Sequence, residues 1–340
     1  MEGVENPSPQ DTGVTGAIVA GGLAFLVAGT FVPVLVKFAV GRNLLDVPNL
    51  RSSHAVPTPR LGGVAIFAGT LVGVAALRPE GAWPLLVAAA IIWAVGLADD
   101  LSNLHFKTKA AAQVLVAGGL LLFYPPPVLG EASGVLWVLV LAVGVLWISA
   151  LSNAFNFMDG IDGFTGGVAV VNAFFLVPLA GEAGGFLPAL VGATAGFLIW
   201  NISPASMFVG DSGAYFLGFV LAAVALYAPL PPGEPWTPLV FVACALVFLP
   251  YLFDTAFTLF RRLRGGAGKS IFLAHREHIY QRITPTADLH RRTSNLYYGA
   301  SVVAGLAALL VAGGGVGLLL GLLLALVLCV ALALLPKVVK

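Results

Sequence analysis

The run VLWVLVLAVGVLWISAL (135–151) leading into SNAFNFMDGIDG (152–163) decides how this chain is read. Its first part carries no charge and is long enough to cross a bilayer. Its second part sets two amides, Asn153 and Asn156, beside two carboxylates, Asp159 and Asp162. Ionisable groups are costly at the end of a span, so a cluster of them marks a functional site. Asn153 and Asn156 lie three apart and share a helix face. Gly160 and Gly163 permit turns and a close backbone approach to a ligand. Asp99-Asp100 and Gly210-Asp211-Ser212-Gly213 hold equivalent places at the ends of other apolar runs.

Working outward, the same pattern fills the chain. Hydrophobic residues make up 59% of the 340 residues, charged residues 10%, and mean hydropathy is +0.97. That composition excludes an ordinary soluble domain. It predicts an all-α polytopic membrane protein with 10–11 transmembrane helices, near 16–40, 61–78, 82–98, 109–124, 135–152, 164–180, 185–201, 213–230, 237–260, 295–312 and 314–336. The last two read as a hairpin or a re-entrant pair, and the glycines at 313–315 favour the hairpin. Residues 1–15 are polar and read as an exposed tail, and 16–340 as one transmembrane domain. Its polar loops fall near 41–60, 99–108, 153–163, 202–212 and 261–292. Cys244 and Cys329 lie inside apolar runs and read as packing residues.

Orientation follows from the basic residues. With an odd number of spans and the N-terminus outside, every one of the 17 Lys and Arg except Arg78 falls at an inner loop or span end. That is a positive-inside pattern, and it turns the clustered carboxylates toward the cytoplasm. The net charge of +1 hides this asymmetry.

Three inner loops are richer than connection requires. The first, Gly41 to Arg60, is dense in Pro and carries Asp46, Ser53-His54 and Pro57-Thr58-Pro59-Arg60. The second joins Asp99-Asp100 to Lys107 and Lys109. The third, Arg261 to Arg292, carries Lys269 and His275-Arg276-Glu277-His278-Ile279-Tyr280-Gln281-Arg282. Asp254, about two turns before Arg261, is read equally as a site residue or as the partner of a cation such as Arg262.

Acids, bases and glycine turns on one polar face suit Mg²⁺-dependent phosphate chemistry, with Mn²⁺ as a substitute. Two phosphate groups of charge −2 each, ~5 Å apart at an effective dielectric of ~20, repel by roughly 13 kcal/mol, which a divalent ion and Lys/Arg donors must offset. Zinc would want more close-set His or Cys than His275 and His278 supply.

In these residues the chain resembles the polyprenyl-phosphate N-acetylhexosamine-1-phosphate transferases (MraY/WecA type). The resemblance spans Asp46 to about Arg282 and rests on Asp-Asp, Asn-x-x-Asn-x-x-Asp-Gly-x-Asp-Gly and Gly-Asp-Ser-Gly in combination. It implies transfer of a sugar phosphate from a UDP-N-acetylhexosamine to undecaprenyl or another polyprenyl phosphate, with release of UMP, in a bacterial cytoplasmic membrane. It implies Asp211 as principal Mg²⁺ ligand with Asp100 beside it. Asp99 and Asp100 stand near the carrier phosphate with Lys109 and Gln113 as Lys-x-x-x-Gln. Asn153, Asn156 and Asp159 line the diphosphate region, Asp162 accepts from uracil, Phe208 stacks on it, and Asn201 is a nearby polar contact.

Where the peptidoglycan branch has three consecutive histidines, this chain keeps His278 and replaces the others with Tyr280 and Gln281. That resembles the surface-polysaccharide (O-antigen) initiating branch. Arg60 is expected at the substrate, and Arg276 and Arg282 at the diphosphate or at anionic lipid. Membrane lipids are expected partners, nucleic acid is not, and a homodimer is compatible with everything above. Direct attack by the carrier phosphate is the expected route, with a two-step route through an aspartyl nucleophile (Asp211 or Asp159) as the rival. A CDP-linked phosphatidyl transferase would want an Ala-Arg after Asp159-Gly160, which is missing. A secondary transporter with proton-carrying carboxylates is the alternative function; transporters place their sites near the midplane.

Overall fold

The computed structural model describes residues 9–48, 56–228, 238–264 and 276–339. Arg51, Ser53, His54, Lys269, His275 and residues 1–8 of the expected tail lie outside the described residues. The fold is a helical bundle: α1 (Pro9–Gly41), α2 (Gly62–Leu77), α3 (Ala82–Ser102), α4 (Phe106–Phe123), a short α5 (Pro127–Glu131), α6 (Gly134–Met158), α7 (Phe164–Ala180), α8 (Leu187–Asn201), α9 (Gly210–Leu226), α10 (Pro238–Val247), α11 (Leu249–Arg264), a single-turn α12 (Ile279–Arg282), α13 (His290–Ala312) and α14 (Gly315–Val338). A two-residue ladder, β1 (Leu45–Asp46) with β2 (Thr58–Pro59), pairs Leu45 with Pro59 and Asp46 with Thr58 and closes the first polar loop on itself.

Each of the eleven expected spans has a helical counterpart. Among the described residues seven helices are long and apolar enough to cross a membrane, or eight if the bent pair α10–α11 is one span. In that count α7 and α8 run together through a 3-10 turn at Gly181–Phe186, while α2 and α9 are shorter apolar helices. The chain is a multi-pass membrane protein. Leu115, Leu146 and Val316 are 74%, 68% and 72% exposed on the bundle surface, which suits lipid and would be a liability in water. The first helix starts at Pro9, so part of the expected tail extends it. The single span expected at 237–260 is broken instead: α10 and α11 meet at 80°. Pro250 has no N–H to give the carbonyl of Leu246, so the helix cannot run straight through.

Small residues let the helices meet backbone to backbone. Ala20, Ala24 and Ala28 line the buried face of α1. Opposite them, a Cβ added at Gly192 would run into the backbone of Gly21, and one at Gly196 into Phe25 and Gly29. Between lipid-solvated helices such close approach supplies the packing energy that hydrophobic burial cannot. Gly192→Val is therefore expected to destabilise the bundle by about 2 kcal/mol through overpacking. Thermal unfolding in detergent reads this, and an unchanged midpoint would contradict the close contact.

α9 is the central helix. Ala214 through Ala225 are all buried, and α2, α3, α6, α7 and α10 surround it. A helix apolar all round belongs in the middle of a bundle. Asp211, in its first turn, is consequently held by the whole fold.

Candidate functional site

The site begins at the N-terminus of α9. Gly210 has φ +75, and a Cβ there would lie 2.6 Å from the Arg60 carbonyl and 2.8 Å from Asp100 Oδ2. Only glycine combines that backbone with that space. The free amides at the helix start are satisfied from α3. Asp100 Oδ1 accepts from Asp211 N at 2.8 Å, and Oδ2 accepts from Ser212 N at 3.0 Å and Ser212 Oγ at 2.7 Å. A carboxylate here complements both the unpaired N–H groups and the helix dipole. The loop bearing Arg60 is tied on by Gly62 N to Phe208 O, Gly63 N to Val209 O and Phe208 N to Pro59 O.

Two more helices, with Asp99 of α3, deliver polar groups around Asp211. Lys109 of α4 donates to Asp99 Oδ2 at 2.5 Å and lies 3.5 Å from Asp211 Oδ2. Asp99 Oδ1 accepts from Leu104 N at 2.6 Å, which fixes the carboxylate at the end of α3. Asn156 of α6 donates to Asp211 Oδ1 at 2.9 Å. One turn deeper, Asn153 donates to Gln113 Oε1.

A cavity of about 200 Å³ opens beside this network. Arg60, Asp159, Asp162, Asn201, Phe208, Asp211 and Arg276, named from five separate stretches of sequence, all line it. Asn201 accepts from Gly163 N at 3.1 Å and donates to Met207 O at 2.8 Å, joining the end of α8 to both neighbouring turns. Burial pushes the Asp159 carboxyl up to about 7, with the Asp100 charge adding to it. Burial acts the same way on Asp162, but the hydrogen bond and charge of His290, with the Ala205 amide, outweigh it and hold that carboxyl low. Two acids three residues apart are thereby pushed in opposite directions.

The family that matches residues 82–228 is described as Glycosyl transferase family 4. Decaprenyl-phosphate N-acetylglucosaminephosphotransferase of Mycobacterium tuberculosis is 32% identical, over 74% of this chain and 71% of its own length. The chain belongs to this family. Undecaprenyl-phosphate alpha-N-acetylglucosaminyl 1-phosphate transferase of Yersinia pestis is 31% identical over 85% of this chain and 80% of its own. A probable undecaprenyl-phosphate N-acetylglucosaminyl 1-phosphate transferase of Bacillus subtilis is 28% identical over 86% and 84%. The resemblance drawn from the motifs is thus to the right family, the polyprenyl-phosphate N-acetylhexosamine-1-phosphate transferases, and the protein is a sugar-phosphate transferase.

Within this transferase some expected residues stand elsewhere. Asp100 engages both oxygens in capping α9, so any metal role rests on its remaining lone pairs. His278 does not line the cavity: its Nδ1 lies 3.1 Å from Oδ1 of Asp254. Asp254 is wholly buried and pairs not with Arg262 but with the third loop, accepting from Ile279 N at 2.8 Å, Tyr280 N at 3.1 Å and Tyr297 Oη at 2.6 Å. Arg262 instead reaches Glu277 at 2.8 Å. Tyr280 then donates to Phe157 O at 3.1 Å and packs over Gly160, so Asp254 seats the loop that brings Arg276 to the cavity. Arg282 is exposed and away from the cavity lining.

Four polar cavity residues were given no site role from sequence: Asp46, Gln281, Thr284 and His290. Asp46 and Gln281 sit inside the polar loops already quoted. His290, next to Arg291-Arg292 at the foot of a span, offered a signal only of interface charge.

The raised Asp159 carboxyl has a measurable consequence. A carboxyl whose folded value lies above its unfolded one, near 4, costs the fold stability as pH rises between the two. With chelator present, the unfolding midpoint of the wild-type protein should fall between about pH 4 and pH 7, and Asp159→Asn should flatten that fall. Parallel pH dependences in the two proteins would contradict it.

Proposed function

We propose that this transferase moves N-acetylglucosamine-1-phosphate, or a closely related amino-sugar phosphate, from a UDP-sugar to polyprenyl phosphate, releasing UMP. The product, a polyprenyl-diphosphate sugar, would begin a surface polysaccharide. The observation that carries this reading is the junction of the Asp99–Lys109–Asp211–Asn156 network with a cavity lined by Asp162 and Phe208. One side has the charge pattern for phosphate transfer; the other has an acceptor and a flat ring for a nucleobase. The relatives named above act on polyprenyl phosphates and N-acetylglucosamine phosphate, which supports the same substrates here. The positive-inside pattern supports a site facing the cytoplasm.

Among the described residues no three His, Cys, Asp or Glu side chains form a closed metal cage. Mg²⁺ in phosphate-transfer sites takes one or two carboxylates and completes its shell with phosphate and water, so crowded Asp99, Asp100 and Asp211 fit it. Asp211 would hold the ion, which supplies charge stabilisation for the transferring phosphoryl group.

The chain's own residues do the rest. Lys109, shared between Asp99 and Asp211, is placed to draw the carrier phosphate toward the diphosphate. Arg60 and Arg276 neutralise the donor. Asn156 fixes the direction of the Asp211 carboxylate. A phosphomonoester has its second pKa near 6, so the carrier is mostly dianionic at neutral pH and needs positioning more than a strong base. Direct attack on the β-phosphorus follows. Asp99, with both oxygens already held, orders Lys109.

Purified protein incubated with Mg²⁺, undecaprenyl phosphate and a panel of UDP-sugars tests the reading. UMP release that requires all three components, with a matching lipid-diphosphate sugar by mass, is expected. Absence of any lipid product across the panel would overturn it.

A further inference from the structure

The turn that bears Asp162 is gripped along one face of α13. His290, Ser294 and Tyr298 are spaced four apart and so share that face. Nδ1 of His290 lies 3.3 Å from both Oδ1 and the main-chain nitrogen of Asp162. Ser294 Oγ donates to the Asp162 carbonyl at 2.8 Å, and Tyr298 Oη donates to the Gly163 carbonyl at 2.5 Å. From the opposite side Ala205 N donates to Asp162 Oδ2 at 3.1 Å. Oδ2 and the carbonyl therefore each have a donor, and His290 Nδ1 reaches Oδ1 and the amide, serving Oδ1 when it carries a proton and the amide when it does not. His290 itself is 1% exposed yet contributes to the cavity lining, and its Nε2 has no partner among the described residues.

Burying an imidazole with one nitrogen unpaired is costly. Packing alone would be served better by an apolar side chain. What an imidazole adds is an Nδ1 within 3.3 Å of the Asp162 carboxylate, to which its N–H can donate. We infer that His290 is a positioning residue for the donor nucleotide, acting through Asp162 to aim that carboxylate into the cavity and so to favour uridine over cytidine nucleotides. The inference rests on the UDP-sugar reading above. A carboxylate only accepts hydrogen bonds. Uracil presents an N–H at N3, whereas cytosine presents a lone pair at that atom. A fixed carboxylate therefore attracts the first and repels the second, while a freely rotating one can swing to the cytosine amino group. Discrimination of this kind comes from rigidity as much as from charge.

The test uses full-length protein in detergent, with calorimetric binding of UMP and CMP and separate steady-state constants for donor and carrier. His290→Ala is expected to weaken UMP about tenfold, to shrink the UMP-over-CMP preference, and to leave KM for polyprenyl phosphate within about twofold. His290→Asn, whose amide overlays the Nδ1 edge, should recover most of the UMP affinity; His290→Gln, whose amide overlays Nε2, should not. If His290→Ala does not fold, the Asn and Gln variants alone make the comparison. UMP affinity unchanged in His290→Ala or His290→Gln overturns the inference, as does an equal loss toward UMP, CMP and carrier. Wild-type protein that binds no UMP overturns the UDP-sugar reading along with it, whereas wild-type binding with indifferent variants removes only the role of His290.

Discussion

Asp211→Asn is expected to lower turnover by about a thousandfold, equivalent to ~4 kcal/mol of transition-state stabilisation. The carboxylate lies within 3.5 Å of Lys109, accepts from Asn156, and opens onto the cavity. Under the proposed function, replacing it removes charge where a divalent ion and a diphosphate would be held together. The fold should not suffer. Asp211 sits beside the charges of Asp99 and Asp100, so an amide there relieves repulsion, and the metal-free unfolding midpoint should hold or rise. Function and stability pull in opposite directions at such sites. UMP release at saturating substrates within tenfold of wild type would contradict the assignment.

Asp100→Ala should show the reverse balance. Three donors at the start of α9 lose their acceptor at once: Asp211 N, Ser212 N and Ser212 Oγ. A lost helix cap costs ~0.5–2 kcal/mol, and each buried donor left unsatisfied adds ~1–3 kcal/mol if no water reaches it. A loss of about 3 kcal/mol in stability is expected, together with a fall in turnover because Asp211 is no longer aimed. Affinity for Mg²⁺-UMP in whatever fraction folds should change less than in Asp211→Asn. The opposite ordering, with Asp100→Ala fully stable and unable to bind Mg²⁺-UMP, would make Asp100 a metal ligand and not the cap of α9.

What could be read from sequence divides along physical lines. The all-α membrane architecture and the clustering of Asp159, Asp162 and Asp211 were legible because charge is rare in a chain this apolar and its position at span ends is meaningful; the count of full spans was not, since α2 and α9 are short and α7 runs into α8. The hairpin at 313–315 was legible from its glycines, two of which take positive φ. The break between α10 and α11 was not, since a single Pro250 within an apolar run also occurs in continuous spans. Asp254 stayed open between a site role and a nearby cation such as Arg262 because sequence shows only neighbours; its partners His278, Ile279, Tyr280 and Tyr297 come from beyond a loop. His290 stayed hidden because one histidine beside two arginines looks like a membrane-surface anchor until α13 is laid against the 162–163 turn. Asp100 was grouped with Asp99 as a chemical pair, yet adjacent residues on a helix point about 100° apart. One meets Lys109, and the other meets α9.

The central claim is that acids from separate helices hold one metal-bound nucleotide diphosphate in the cavity beside Asp211. Crystals grown with UDP and Mn²⁺, measured for anomalous scattering, test it most directly. A single strong peak against the Asp211 carboxylate, with the uracil between Phe208 and Asp162, is expected. Nucleotide bound with its base away from Phe208, or manganese seated away from Asp211, would contradict it.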